Sequence, residues 1–483
     1  MKTNFKALLF LATTFTVLSC NQDDDTVSAT AVNENVSFAN HSATAPFLAR
    51  KTGFENLEIY SLVSSGDQLS GSPDFVYGSM ADGMGLMKNA DGTFSLINNI
   101  EADYSIARIT FDKTFKPVKG EYILNALATA STAQCSGSLV TQEEHGFGPL
   151  YLSGGEWGGA SKGVFATDPY RSAENAELAT LLPALGQWST ENAVVIGKDA
   201  YPSKTVVFIG DDTSDDTTPS GQLAMYVGNR GDLASGSLYG LKVNTAGINF
   251  EMDMQQGVTY QAEFVEYQER TLNELELESR DKGIMGFSRV EDIDYRKGSG
   301  ANNREIYFAV TGRKKTALTG KGSFYGRIYK VTLNQNDPTQ ATITCVLDGD
   351  KLDGIAKQFH SPDNVLVTKN FVYIMEDPNG YPDTADKTHY PYLYQYNIST
   401  GALKVVLECN QIAAQNAGIG SASTMWELTG MIDVSDVLGV EGSFLICTQN
   451  HGWSNTAFTD PKANANPASD EGSQLYLIKG LER

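Results

Sequence analysis

Arg289 stands close to three carboxylates, Glu291, Asp292 and Asp294, in the stretch from Phe287 to Asp294, just ahead of an apolar run from Glu305 to Thr311 that reads as a strand. A guanidinium offers a fixed fork of donors that matches phosphate oxygens, and clustered carboxylates persist only when solvated or neutralised by cations. The pairing suits an anion held against a metal. Taken alone it also describes an ordinary solvated loop. Further polar turns recur along the chain and could converge on it: Asp82-Gly83, Asn99-Ile100-Glu101, Cys135-Ser136-Gly137, Ser153 to Glu156, Ser189 to Asn192, Asp211-Asp212, Asp363-Asn364, Glu376-Asp377, Glu427 to Gly430 and Gln449 to Gly452. Other chemistries lack their residues. His360, His389 and His451 show no metalloprotease spacing, and neither a serine-hydrolase elbow nor a phosphate-binding loop occurs. His451 reads as a satisfied polar residue, and Met80, Met84 and Met87 as core filling.

The elements that must position these turns are short strands. One phrase recurs, a turn followed by alternating apolar and polar residues with an aromatic, at Gly221 to Val227, Gly236 to Val243, Gly326 to Val331, Pro391 to Tyr396 and Gly472 to Ile478. That alternation is how a strand half-buried between sheets reads. Antiparallel strands over more than four hundred residues, with so little helix, predict an all-β fold. A β-propeller, six-bladed, accommodates them most simply because radial blades limit exposed edges. A pair of β-sandwiches would need a linker, and none is evident. Two helices are expected as insertions on a propeller face, Ser172 to Leu185 ending at Gly186, and Thr271 to Ser279 with Thr271 and Glu274 spaced as a capping box.

Residues 1–19 read as a lipoprotein signal peptide, with Lys2 and Lys6 ahead of an apolar run that ends at Val17-Leu18-Ser19-Cys20. Cys20 becomes the lipidated N-terminus of a disordered tether over residues 20–45, and residues 46–483 form a single propeller domain. The anchor places the protein on a bacterial outer membrane, facing the cell surface or the periplasm. Asn21 to Asp25, acidic at once after the cysteine, resembles a surface-export signal. The formal net charge of −22 leaves no basic stripe for nucleic acid. Cys345, Cys409 and Cys447 lie in apolar runs and read as core, whereas Cys135 sits in a small polar segment.

In their order along the chain these motifs resemble the PhoX-type alkaline phosphatases, a family of calcium- and iron-dependent β-propeller phosphatases. Asn99-Ile100-Glu101 is similar to the family's Asn-His-Glu, Cys135-Ser136-Gly137 to its Cys-Ser-Gly, and Leu152 to Glu156 to its Leu-Thr-Cys-Glu-Glu. Gly186 to Glu191 looks like its Gly-Arg-aromatic-x-His-Glu, Arg289-Val290-Glu291 like its Arg-Pro-Glu, and Glu427 to Gly430 and Gln449 to Gly452 like its Glu-Phe-Thr-Gly and Gln-His-Pro-Gly. The resemblance implies an extracytoplasmic phosphoester hydrolase, expected to be a monomer, that acts on a small-molecule phosphoester with calcium and iron as cofactors. On that carry-over Cys135 is an iron ligand, and Glu101, Glu156, Glu191, Glu291 and Glu427 supply hard oxygens. Asp211, Asp363 and Asp377 join them as metal ligands, and Arg289 clamps the phosphoryl oxygens. Ile100, Thr190 and Val290 depart from the family pattern, and Glu143-Glu144-His145 matches nothing in it. Two other functions stay open on the same residues, a non-catalytic calcium-binding surface propeller and a calcium-dependent lactonase-type hydrolase.

Overall fold

The computed structural model describes residues 35–159, 162–213, 215–378 and 388–483. Six short strands form its centre: Ala81–Lys88, Thr132–Val140, Thr190–Val195, Val290–Tyr295, Pro362–Val367 and Glu427–Asp433. They are mostly buried on both faces, so their sequences mix apolar and polar residues without a solvent side. Each packs on the next in chain order, and the sixth returns to the first, which closes a ring. From every inner strand the chain steps outward through antiparallel neighbours, as in Ala81–Lys88, Phe94–Ile100, Ser105–Phe111 and Pro117–Leu124. Counted by inner strands the propeller has six units. Counted by hydrogen bonding it has five sheets, because Thr259–Tyr267 pairs with Gln340–Asp348 and joins the third and fourth units.

Four of the five recurrent phrases fall on the third strand of a unit, Leu223–Asn229, Arg327–Leu333, Tyr392–Asn397 and Glu471–Lys479. Apolar side chains fill the spaces between units; Tyr307 and Ala309 of the fourth, for example, pack with Val365 and Val367 of the fifth. Closure comes from the N-terminal side. Glu58–Ser64 adds the outermost strand of the sixth unit by pairing with Glu471–Lys479, and Leu48–Arg50 extends the fifth against Leu403–Cys409. Tying early residues to late ones removes open edges from both units.

The helix expected from Ser172 to Leu185 is not formed. Two 3₁₀ turns, Ala173–Asn175 and Pro183–Leu185, flank a stretch that instead lies along Gly163–Thr167, where Ala166 N donates to Thr180 O at 2.9 Å and Leu182 N to Val164 O at 2.8 Å. Pairing with an open sheet edge outweighs the weak helix preference of the alanines. The second helix is present as Leu272–Lys282, preceded by Thr271 and closed by Gly283 in the left-handed conformation. Residues 35–45, assigned by composition to the tether, lie against the domain. Phe38 packs on Tyr60 and Phe115, and His41 N donates to Ser61 O. The signal peptide and Cys20 lie outside the described residues. Among the described residues no helix is long and apolar enough to cross a membrane.

Candidate active site

All six inner strands carry the same irregularity near their beginnings. Against the second strand of each unit the register slips between Ala81 and Met84, Gln134 and Gly137, Thr190 and Ala193, Val290 and Ile293, Pro362 and Val365, and Thr429 and Ile432. Two residues on the inner strand oppose one on its partner, as Asp82 and Gly83 oppose Asn99, which is a β-bulge, and a bulge re-aims a side chain. In five units the bulge holds an acid or a thiol, followed by a small or amide-type residue in four of them and by an acid in the other: Asp82-Gly83, Cys135-Ser136, Glu191-Asn192, Asp363-Asn364 and Glu291-Asp292. The first of each pair faces a shared central cavity. Several of the second residues, together with Asn98 and Asn99, fasten the bulges within a unit, to the next unit or across the ring. Asn98 Nδ2 donates to Asp82 O at 2.7 Å, Asn99 Nδ2 to Cys135 O at 2.5 Å, and Asn364 Nδ2 to Ser136 Oγ at 3.0 Å. Asn192 bonds Asp292, whose other oxygen accepts Val365 N at 3.0 Å. Asp292 and Asp294, in a stretch that taken alone describes a solvated loop, are thus buried pins between the fourth and fifth units, Asp294 accepting Val367 N at 2.7 Å.

The second strands end on the same face of the ring and contribute Glu101, Glu156, Asp377 and His451 to the cavity, which has a volume of about 190 Å³. Glu427 lines it from the sixth inner strand, and Arg289 enters from the residue before the fourth. Cys135, Glu101, Glu156, Glu191, Glu291, Asp363, Asp377, Glu427 and Arg289 are therefore brought together. Asp211 is not. Its Oδ1 accepts Ser189 N at 3.2 Å and Thr213 Oγ1 at 2.7 Å, closing a buried turn, and burial pushes its carboxyl up to about 7. The next residue, Asp212, turns to the site instead, where it pairs with Arg289. Alternate residues of a strand end point to opposite sides, so a displacement of one position exchanges site for core.

Arg289 Nε and Nη2 grip the two oxygens of Asp212 at 2.7 and 3.3 Å, and Nη2 lies 2.6 Å from Glu291 Oε1. The guanidinium is held in one orientation before any anion arrives. Its backbone sits at φ +73°, a conformation costing a non-glycine residue about 1–2 kcal/mol, so it persists only because its surroundings impose it. Burial pushes the carboxyl of Asp212 up. The Arg289 charge and hydrogen bonds from Glu156 and Glu291 outweigh that, leaving it below the usual range.

Elsewhere in the cavity burial dominates and like charges reinforce it. Asp82, Glu156, Glu191, Asp363 and Glu427 are all pushed well up, and so is Glu291 despite Arg289. Glu101 is raised less, because Trp157 Nε1 at 2.6 Å and Gln449 Nε2 at 2.9 Å donate to its two oxygens. The Cys135 thiol, driven up by burial and then by the charges of Glu101, Glu156 and Glu191, donates to Glu156 Oε2 at 2.9 Å.

One guanidinium cannot balance so many acids, and the donor set fits cations. Ligand atoms of Asp82, Glu101 and Cys135, of Cys135, Glu156 and Glu191, and of Glu191, Glu291 and Asp363 form three groups, each with its atoms within 4.8 Å of one another. Hard cations bind oxygens at about 2.3–2.6 Å, so donors spaced in this way can share one ion. Cys135 and Glu191 each belong to two groups, which makes the arrangement a continuous cluster, and the single sulfur favours a softer metal at one end. Asp82, Asp212 and His451 lie in polar turns that the sequence singles out without assigning them a ligand role, and Trp157 falls just beyond such a turn. The acid followed by a glycine in Asp82-Gly83 is the local signal that marks a ligand position there. His451 lines the cavity while its Nδ1 lies 2.7 Å from Glu471 Oε2, an orientation typical of a metal-binding or proton-handling imidazole.

The family model for alkaline phosphatase PhoX matches residues 164–437, more than half of the chain, and spans Glu191, Arg289, Glu291, Asp363, Asp377 and Glu427. Among solved structures, Pseudomonas fluorescens PhoX in complex with vanadate, a transition state analogue, superposes with a TM-score of 0.62 at 15% identity, covering 92% of this chain and 98% of that one. Weaker matches include the Neurospora crassa Pan2 WD40 domain, at 8% identity and a TM-score of 0.36 with 88% of this chain and 96% of that chain covered. The subtype N11 neuraminidase-like protein of A/flat-faced bat/Peru/033/2010 scores 0.37 at 8% identity, covering 93% and 96%. No curated protein sequence matches the chain.

Proposed function

The chain belongs to the PhoX alkaline phosphatase family, which makes it a phosphoric ester hydrolase, and from that premise we propose that it releases phosphate from small phosphoesters outside the cytoplasm, with calcium and iron held in the central cavity. The observation that carries the reading is the convergence of one thiol and a set of buried acids, five of these groups on strand bulges, around a pre-oriented arginine.

Cys135, Asp82, Glu101, Glu156, Glu191, Glu291 and Asp363 would hold the ions, with iron at the Cys135 end and calcium among the oxygens. Bound cations would neutralise the phosphoryl charge and activate an oxygen nucleophile. Arg289 receives the equatorial phosphoryl oxygens, already fixed by Asp212 and Glu291, so orientation costs little when substrate binds. Trp157 and Gln449 hold both oxygens of Glu101 still. His451, engaged at Nδ1 by Glu471, keeps Nε2 for a cation or for a proton at the leaving oxygen. The protein acts as a monomer anchored through Cys20, and replacing Cys20 by Ala should release it from the membrane fraction.

Element analysis of the purified protein, paired with an aryl phosphate assay with and without chelator, tests the reading. Iron and calcium, with phosphate release abolished by chelation, support it. Calcium alone, without hydrolysis of any monoester or diester, would return the chain to a non-catalytic surface propeller. A lactonase on this fold would need neither Cys135 nor Arg289, so activity surviving both alanine substitutions would favour that chemistry.

A further inference from the structure

Glu251 is fully buried, lies outside the residues lining the cavity, and has no ordinary reason to be ionisable there. It opens the 3₁₀ turn Glu251–Asp253 in the connection between Ser237–Val243 and Thr259–Tyr267, and reaches from the third unit towards the start of the fourth. One oxygen, Oε1, accepts two backbone amides, Ser288 N at 2.9 Å and Ser323 N at 2.8 Å. The turn that carries it is locked in turn. Arg327 Nη1 donates to Glu251 O at 2.7 Å while its Nη2 holds Asp348 Oδ2 at 2.7 Å.

Ser288 is the residue before Arg289. Its amide is taken by Glu251 and its carbonyl by Gly312 N at 3.0 Å, while Arg289 O accepts Thr311 N at 3.3 Å. Gly312 and Thr311 thereby fix the two peptide planes that flank the left-handed Arg289, and Glu251 fixes the plane before them, between Phe287 and Ser288. Left-handed backbone at an arginine is unfavourable and reverts unless its neighbours hold it. Of those neighbours, Gly312 and Thr311 belong to the same unit, whereas Glu251 ties the backbone before Arg289 to the third unit, as Asp212 does for its guanidinium and Gly221 for Phe287.

We propose that Glu251 is a positioning residue for phosphoryl transfer, holding the Ser288 and Ser323 amides so that Arg289 keeps the backbone conformation that aims its guanidinium into the cavity. The proposal rests on the phosphatase reading for its assay, although the arm itself can be probed without turnover. Glu251 touches neither substrate nor metal in this arrangement; it acts through the arginine.

Substitutions that separate reach from charge test this. Glu251→Gln keeps an oxygen at the same position, able to accept both amides, but loses the charge. Glu251→Asp keeps the charge and loses one methylene of reach. Positioning predicts that Gln stays within about threefold of the parent in kcat/KM while Asp falls about 10- to 100-fold, the scale expected of an ångström-size displacement of a catalytic group. Metal content should be unchanged in both. Vanadate affinity, read by calorimetry on the metal-loaded protein, should fall with Asp and hold with Gln. In an Arg289→Ala background, Glu251→Asp should add less than about twofold, because coupled residues are non-additive. The opposite ranking, with Asp active and Gln inactive, equal losses in both backgrounds, or loss of metal with Asp would overturn the proposal. A parent protein that binds vanadate yet hydrolyses no phosphoester would sink the phosphatase reading instead, and the vanadate ranking would still decide the role of Glu251.

Discussion

At the scale of single residues, the site rests on Arg289 and Cys135 performing different tasks. Arg289 is fixed by Asp212 and Glu291 and brings a planar fork, so its loss should fall on turnover rather than on metal. Arg289→Ala should lower kcat by about 10²–10³ with metal content intact, in line with removal of one preorganised donor. Arg289→Lys should restore little of it, because an ammonium cannot make the bidentate contact. Steady-state kinetics beside element analysis checks both. Cys135 is the only thiol among the described residues that line the cavity. Cys135→Ser should deplete iron while calcium stays, measured by element analysis on the same sample, because a hydroxyl is a poor ligand for the softer metal.

The element that matters is the bulged inner strand. It presents its ligand to the axis while a neighbouring strand passes very close behind, and glycine makes that approach possible. A Cβ at Gly154 would lie 2.0 Å from Glu191 O, and one at Gly210 would lie 2.6 Å from Glu291 O. Neither contact can be relieved by a side-chain rotation, since the opposing atoms are backbone. Gly154→Ala should therefore destabilise the protein by at least about 1–3 kcal/mol, the usual scale for overpacking, and displace Glu191 enough to impair metal binding. Urea unfolding midpoints and metal content report the two effects separately. A change in stability without a change in metal content would show that the bulge tolerates the shift.

For the whole molecule, two features of the ring set its behaviour. One is closure by an early strand. Removing residues up to 66 deletes Glu58–Ser64, takes Leu62 and Val63 out of the core, and exposes the edge of Glu471–Lys479 with apolar residues such as Leu475 and Leu477, so the truncated chain should lose cooperative thermal unfolding. Circular dichroism melting of the shortened chain is the check. The other is buried carboxylate. Burial raises Asp211, Asp292 and Glu376 each to about 7 in the folded protein. A carboxyl raised on folding binds its proton more tightly in the native state. Its contribution is present below the unfolded value and is lost as pH rises through about 7. The chelated protein should melt at a higher temperature at pH 6 than at pH 8, and the difference should shrink when the cations are restored, because the cavity acids, raised in the same sense, are then neutralised by metal while these three are not. Differential scanning calorimetry at the two pH values, with and without chelator, reads the effect.

Much of this was legible before the fold was known. The recurrent aromatic strand phrase marked the third strands of successive units, and the ordered series from Glu101 to Glu427 marked the residues that the cavity gathers. These signals are local, since a turn and an alternating strand are written in consecutive residues. What the sequence could not decide was anything set by register or by contact between distant segments. Asp211 and Asp212 differ only in which side of a strand end they face, and the pairing with Leu223–Asn229 settles that. The alanines of Ser172 to Leu185 favoured a helix until the edge of Gly163–Thr167 offered hydrogen bonds. His451 and Glu251 acquire their roles from partners 20 and 37 residues away, Glu471 and Ser288. The ordered motifs, through their resemblance to a family, indicated the kind of chemistry, and alternation marked the strands that carry it. Only the closed ring decided which oxygens meet, because that depends on bulges, left-handed backbone and the approach of neighbouring units.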